Sequence, residues 1–194
     1  GFHLRPSEPY NLPKEGWVIR SAHEVFIYER VIYQALIDRL IPEYDSLLKD
    51  EVYSHRFRNS SGDYIFHNTI DAWKSFNEAT SAFMEGNSNV IVTTDIQNYF
   101  QCIEHRTLIN QLSKLQSQIP SCHASATSRL QLLLKTWNKR GVGIPQNTDP
   151  SSFLGNMYLS KVDNFMLKRY QYFRYMDDIR IVCKHKYQAR KARQ

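Results

Sequence analysis

The 194-residue sequence contains no long apolar run, and none of its segments approaches the roughly 18 apolar residues that are needed to cross a bilayer. Its first residues also lack the charged-then-apolar pattern of a secretory signal. We therefore expect a cytoplasmic protein with no membrane partner. The sequence begins with Gly1 rather than with an initiator Met, which is compatible with a processed or truncated product.

Cysteine is scarce as well: there are three cysteines, an odd number, and no CxxC pair. This argues against a disulfide framework and against a zinc ribbon, and it fits a reducing compartment. The seven histidines are scattered, without an HExxH pattern. A histidine-based metal site is therefore not indicated.

The charge is unbalanced towards the positive side, with 25 Lys and Arg against 19 Asp and Glu, a net charge of +6 and a pI of about 9.2. A basic chain is attracted to phosphate backbones, although many basic proteins bind no nucleic acid. A basic cluster near the end of the sequence is suited to a nucleic-acid backbone or, equally well, to a solvated helix face: Lys184, Lys186, Arg190, Lys191 and Arg193.

Apolar periodicity predicts helices over residues 25–40, 70–84, 105–115, 129–140 and 149–168. Pro42 should end the first helix, and residues 1–16, with three prolines, should form an irregular arm. Buried strands are predicted over residues 89–94, 172–175 and 179–183, and a short strand over residues 53–57. The predicted apolar face of the first helix comprises Val25, Tyr28, Ile32, Ala35, Leu36 and Leu40.

The order of these elements predicts an α+β fold, with antiparallel strands and helices packed on one face of the sheet. Two strands flank Asp177 and Asp178, as in a β-hairpin, and Asp95 ends another strand. An acidic pair between apolar strands is costly unless it is solvated or neutralised by cations. Magnesium prefers carboxylate and phosphate oxygens, and two ions about 4 Å apart activate a primer 3′-hydroxyl and stabilise leaving pyrophosphate. The alternative is an ordinary turn, where Asp is favoured.

Three motifs in this order resemble those of reverse transcriptases. Residues 175–178 read YMDD and resemble the YxDD turn, and residues 95–100 read DIQNYF and resemble the first catalytic motif. Residues 143–146 read GIPQ and, with the helix that follows, resemble the template-and-nucleotide loop and helix. The sequence is therefore identified as a member of this family, with a resemblance that covers roughly residues 10–185.

The amino-terminal part resembles the fingers of group II intron-like enzymes, through residues 12–14 (LPK), Arg20 and residues 29–36 and 52–56. Residues 145–152 and 52–56 are similar to bacterial antiphage-defence enzymes of the abortive-infection type. The resemblance implies the fingers and palm of a right-hand polymerase: residues 1–88 mainly fingers and 89–194 mainly palm, with residues 113–142 shared with the fingers. The thumb is expected to be absent, so that either the chain is a fragment or a homo-oligomer or separate thumb domain supplies it.

The resemblance also implies roles for individual residues. Asp95, Asp177 and Asp178 would be the catalytic carboxylates and, with Ile96, would contact two Mg²⁺ ions, or Mn²⁺ in their place. Phe100 would lie under the ribose and leave no room for a 2′-hydroxyl; the alternative is a core aromatic. The other implied substrate contacts are Lys14 and Arg20 on the triphosphate, Arg56 in the fingers and Gln146 at the nucleotide.

The implied function is RNA-directed DNA synthesis from deoxynucleoside triphosphates, on an RNA template with a DNA or RNA primer, in antiviral defence. Most relatives have Gly where this chain has Asn147, and Asn tolerates unusual backbone angles better than most residues. Two alternatives stay open: template-independent or protein-primed DNA synthesis, and a catalytically silent nucleic-acid-binding module.

Overall fold

The structure is a computed structural model that describes residues 4–13, 16, 19–59, 64–84, 89–121 and 123–192. The chain forms two compact units, one from residues 1–44 and 98–158 and the other from residues 45–97 and 159–194. Each unit takes two separate stretches of the chain, and the division into fingers and palm near residue 88 stays a prediction. Lys14 and Arg193 lie outside the described residues, as does the side chain of Arg20.

The first unit begins with two antiparallel strands, β1 (Glu8–Pro13) and β2 (Ile19–Glu24), with Glu8 opposite Glu24 and Pro13 opposite Ile19. The prediction of an irregular arm over residues 1–16 was therefore wrong. A two-stranded ribbon consists of edges only, so that a proline, which lacks an N–H donor, is tolerated there.

Helix α1 (Ile27–Asp45) continues past Pro42, which was wrongly predicted to end it. The predicted apolar face was only partly right: Val25 and Leu40 are buried, but Tyr28 is 66% exposed and Ala35 is exposed as well. The buried face of the helix carries Tyr33, Ile37, Leu40, Ile41 and Tyr44. That face includes a buried acid, Glu29, whose carboxylate accepts hydrogen bonds from the Arg5 side chain. Apolar spacing alone cannot predict a helix face that buries a charged residue.

The rest of the first unit follows the predicted pattern closely. Short α3 (Tyr99–Cys102) precedes α4 (His105–Leu115), whose predicted bounds and apolar face are confirmed. Helix α5 (Ala124–Trp137) begins and ends earlier than the helix predicted over residues 129–140, and a short 3₁₀ turn, Gln116–Gln118, precedes it. Helix α6 (Asp149–Leu167) starts at the Asp-Pro pair as predicted and contributes residues to both units.

The second unit contains a three-stranded antiparallel sheet in the order β3 (Val90–Asp95), β5 (Asp178–Cys183), β4 (Gln171–Tyr175). Its helices are α2 (Thr69–Ala82), the end of α6 and α7 (Lys186–Ala192). The positions of the three predicted strands and the hairpin are confirmed, as is the α+β class with antiparallel strands. Strand β3 is not the buried strand that was predicted, because only Val92 in it is buried. The segment predicted as a strand at residues 53–57 makes isolated bridges instead, Val52 with Arg174 and Phe57 with Phe66.

Helices cover both faces of this sheet, so the prediction that they pack on one face was wrong. Phe76 of α2 packs with Phe173 and Val182 on one face. On the other face, Tyr172 and Ile181 pack with Ala189 of α7 and with half-buried residues of α6. The successive apolar residues Tyr172 and Phe173 of β4 point to opposite faces, as do Ile181 and Val182 of β5, so each face must be covered. Among the described helices, none combines the length and the apolar character that a membrane span requires.

Candidate active site

The sheet of the second unit brings the three predicted carboxylates together at one end. Asp95, the last residue of β3, is the register partner of Asp178, the first residue of β5. The backbone N–H of Ile96 donates to the carbonyl oxygen of Asp177 at 3.2 Å, which extends the pairing one step beyond the strands. Residues far apart in the sequence thus meet because β3 and β5 are adjacent and antiparallel.

The electrostatics of this end are unfavourable without a cation. Burial, and the negative charge of Asp95, raise the pKa of the Asp178 carboxyl, and the positive charge of Arg180 opposes this shift. Asp95 is exposed, whereas Asp177 and Asp178 are half-buried. A divalent cation would relieve the repulsion between the carboxylates.

The donor set suits a hard cation, because the three aspartates at this end offer carboxylate oxygens. Ile96, which has an apolar side chain, can offer only its backbone carbonyl. In the part of the chain that the structure describes, no three His, Cys, Asp or Glu side chains stand in position to hold a metal ion. For all three carboxylates to bind one ion, their side chains would have to lie closer together than they do in this structure.

The turn between β4 and β5 is held by hydrogen bonds on both sides. Met176 is buried and has a positive φ of 56°, which is uncommon for a residue other than glycine. Its N–H donates to the hydroxyl oxygen of Ser54 at 3.0 Å, and its carbonyl accepts a hydrogen bond of 2.9 Å from Nη1 of Arg174. The backbone of the YMDD turn is therefore tied to two buried side chains.

Arg174 is itself fixed by an ion pair in the core. Its side chain is fully buried, and its Nε and Nη2 atoms donate to the two carboxylate oxygens of Asp163 at 2.8 and 2.7 Å. The hydroxyl of Tyr172 also donates to Asp163, at 2.9 Å. None of the sequence motifs indicates this network, although an arginine inside an otherwise apolar strand signals the need for a buried partner.

Aromatic rings surround the start of the turn. The ring of Tyr175 meets the ring of Trp73 edge-on at 5.0 Å, and its hydroxyl donates to the carbonyl of Thr69 at 3.2 Å. The guanidinium of Arg180 lies 4.3 Å from the centre of the Phe76 ring and donates to Thr80 at 2.8 Å. These contacts hold Arg180, the positive charge that acts on Asp178, against α2.

Arg56, predicted to contact substrate, is engaged by protein atoms of its own unit. It forms an ion pair with Asp45 at 3.1 Å and donates to the carbonyls of Lys49 and Val52 at 2.7 and 3.0 Å. The observed contacts give Arg56 a structural role in folding residues 45–56 together. A contact between Arg56 and a nucleotide stays a prediction.

Phe100 and the loop that carries Gln146 belong to the first unit, where backbone hydrogen bonds join them. The N–H of Ile144 donates to the carbonyl of Phe100 at 3.0 Å, and the N–H of Gly143 donates to that of Ile103 at 2.8 Å. Phe100 and Gln146 are each half-buried. Phe100 and Gln146, the two predicted nucleotide contacts, therefore lie on segments that are joined by backbone hydrogen bonds.

A buried histidine adds a further bond to this loop. Nε2 of His105 donates to the carbonyl of Gly143 at 2.6 Å, and burial lowers the pKa of the ring. Farther along the loop, Asn147 has a φ of +56°, a left-handed conformation that Asn tolerates better than most residues.

The fold and the carboxylate end of the sheet define the fingers and palm of a right-hand polymerase. The model of the family described as reverse transcriptase (RNA-dependent DNA polymerase) matches residues 22–194. The chain therefore belongs to the reverse transcriptase family, whose members are nucleotidyltransferases and generally use divalent metal ions. No curated protein has a significant sequence match to the chain.

Two solved structures are similar to the chain over 98% of its length. The telomerase from Candida tropicalis, in complex with a TWJ fragment of telomeric RNA, gives a TM-score of 0.65 at 9% identity. The telomerase from Candida albicans, in complex with the same kind of fragment, gives 0.55 at 11% identity. The chain spans 38% and 39% of these two proteins, and at such low identity the similarity shows the fold alone.

Proposed function

We propose that the chain carries the nucleotidyl-transfer centre of an RNA-directed DNA polymerase, with Asp95, Asp177 and Asp178 as its metal-binding carboxylates. The observation that carries the proposal is the register of β3 and β5, which sets Asp95 opposite Asp178. Membership of the reverse transcriptase family supports the reaction class.

The carboxylates would hold the ions, and Ile96 would add its backbone carbonyl. Two bound Mg²⁺ ions, or Mn²⁺ in their place, would supply activation of a primer 3′-hydroxyl and charge neutralisation at the leaving pyrophosphate. Asp95, which is the most exposed of the three, is open to incoming ligands. Asp178 is half-buried beside a like charge, so a cation is its most favourable neighbour.

The first unit would supply the nucleotide contacts. Phe100 would lie under the sugar and select deoxynucleotides, because a large ring leaves no space for a 2′-hydroxyl. Gln146 would hold the nucleotide or base pair through its amide, and its loop is bonded to the Phe100 segment. Lys14 and Arg20 would neutralise the triphosphate.

The partners that follow are an RNA template, a DNA or RNA primer and deoxynucleoside triphosphates. The resemblance of residues 52–56 and 145–152 to antiphage-defence enzymes supports a bacterial defence role in the cytoplasm. A thumb from a further domain or from a second copy would grip the duplex.

The test is primer extension by the full-length protein on an RNA template with Mg²⁺, comparing wild type with Asp178→Asn. Asp50→Asn is the matched control, because Asp50 is an exposed aspartate of the same unit that lies outside the carboxylate cluster. We expect a loss of at least 100-fold for Asp178→Asn, on the order of what removing one group that stabilises transition-state charge costs. Primer extension by Asp178→Asn at the wild-type rate would show that Asp178 is not a metal-binding carboxylate of the centre.

A second candidate keeps the metal site and dispenses with the template. The exposed side chain of Asn147 favours it, since this side chain stands where relatives have glycine and where the template backbone would approach. Incubation of the enzyme with deoxynucleotides alone separates the two candidates. Product of random sequence, or product attached covalently to the protein, would support the second.

A further inference from the structure

The YMDD turn requires an unusual backbone conformation at a residue that does not favour it. Met176 is at φ 56°, a region that side chains with a Cβ seldom adopt. Such a conformation persists where the surrounding structure holds it. At this turn the holding groups are identifiable.

The first group is Ser54, which backbone hydrogen bonds between residues 51–53 and β4 place beside the turn. The N–H of Arg174 donates to the carbonyl of Glu51 at 2.9 Å, and the N–H of Tyr53 donates to the carbonyl of Arg174 at 3.0 Å. These bonds lay residues 51–53 along β4. The next residue, Ser54, is fully buried and accepts the hydrogen bond from the N–H of Met176.

The second group is Arg174, whose guanidinium divides its donors between two partners. Nε and Nη2 pair with the carboxylate of Asp163, and Nη1 reaches the carbonyl of Met176. A planar guanidinium fixed on one side by a bidentate carboxylate presents its remaining donor in a fixed direction. Asp163 thus sets the direction in which Arg174 holds the turn.

We propose that Ser54, Arg174 and Asp163 form a positioning clamp that holds the backbone of Met176 and thereby places Asp177 and Asp178 beside Asp95. The inference rests on the proposed function, in that the clamp matters for catalysis only if these carboxylates bind the metal ions. The contacts that define the clamp are all between protein atoms. They act through the turn.

A buried ion pair could also serve stability alone, and Tyr172 allows the two roles to be separated. Its hydroxyl donates to Asp163, so that Tyr172→Phe weakens the same buried network without removing a contact to Met176. Ser54→Ala removes the acceptor of the Met176 N–H with little change in volume. Arg174→Lys keeps the charge opposite Asp163 but removes the forked donor set, and if this variant does not fold, Ser54→Ala carries the test.

The first measurement is hydrogen–deuterium exchange of the full-length protein, read in peptides that cover residues 174–180 and, as reference, α5. We expect at least tenfold faster exchange at the turn in Ser54→Ala and Arg174→Lys, with unchanged exchange in α5. Tyr172→Phe should exchange at the turn as wild type does. If Ser54→Ala, Arg174→Lys and Tyr172→Phe all exchange at the turn at the same rate, whether that is the wild-type rate or a faster one, the clamp proposal is wrong.

The second measurement is primer extension as a function of Mg²⁺ concentration. The clamp variants should need at least fivefold more Mg²⁺ for half-maximal rate and show a lower kcat, with KM for the deoxynucleotide changed less than twofold. A wild-type Mg²⁺ requirement in both clamp variants would also contradict the proposal. If wild-type protein itself shows no Mg²⁺-dependent synthesis, the proposed function fails, while hydrogen exchange still decides whether the clamp holds the turn.

Discussion

Asp95 and Asp178 are direct register partners across the β3–β5 ladder, so that two negative charges face each other at the end of a sheet. Opposed like charges on neighbouring strands are destabilising. Within one small sheet, the same pairing that costs stability creates a site of strong negative potential.

The first prediction concerns stability in the absence of metal. The raised pKa of Asp178 means that the folded protein disfavours its ionised form, so stability falls as pH rises through the interval between the unfolded and folded pKa values. Asp178→Asn removes this penalty, and with chelator at neutral pH its melting temperature should equal or exceed that of wild type. Added Mg²⁺ should raise the melting temperature of wild type only. A metal-free variant that melts well below wild type would contradict this.

The second prediction concerns sugar selection by Phe100. Phe100→Ala should relax discrimination against ribonucleotides by at least tenfold, because the ring that would exclude the 2′-hydroxyl is gone. The measurement is the ratio of kcat/KM for a deoxynucleotide to that for the matching ribonucleotide, which is independent of how much enzyme is active. An unchanged ratio would mean that Phe100 is a core aromatic beside Tyr99, whose ring lies 5.3 Å away.

The third prediction concerns the pH dependence of stability through His105. Burial lowers the pKa of this ring, so below the unfolded value of about 6.5 the unfolded chain binds the proton more readily. Wild type should therefore lose stability as pH falls below about 6.5, and His105→Gln should lose less over the same interval. Denaturant unfolding at a series of pH values measures this. Parallel curves for the two proteins would rule out the contribution of His105.

The fourth prediction concerns the left-handed residue at the nucleotide loop. Asn147→Val should lose roughly 1–2 kcal/mol of unfolding free energy, because a β-branched side chain is disfavoured at a φ of +56°. Asn147→Gly should stay within about 0.5 kcal/mol of wild type. If templated synthesis rises in Asn147→Gly while stability does not change, the Asn side chain acts on the template. Equal losses of unfolding free energy in Asn147→Val and Asn147→Gly would show that the left-handed conformation does not determine the stability effect.

The elements that could be predicted from sequence are those in which apolar spacing and burial coincide. Helix α4 buries Leu108, Leu112 and Leu115 at helical spacing, and buried apolar runs in β4 and β5 flank the turn of the hairpin. The position of Asp95 could be predicted because it ends a short apolar strand. In each case local pattern and tertiary packing agree.

Features fixed by polar contacts could not be predicted in this way. The buried face of α1 includes Glu29, which is neutralised by Arg5, a residue far from it in the sequence. Arg174 and Asp163 are likewise charged residues whose burial depends on one another. Such pairs are assigned only when both partners are placed in space, because the sequence does not indicate which acidic residue meets which arginine.

The most direct test of the central claim is a crystal structure of the full-length protein with bound Mn²⁺, located by its anomalous scattering. We predict an anomalous peak in contact with carboxylate oxygens of Asp95 and of Asp177 or Asp178, and no such peak in Asp95→Asn. A fully occupied Mn²⁺ site elsewhere, with these carboxylates free of metal, would contradict it.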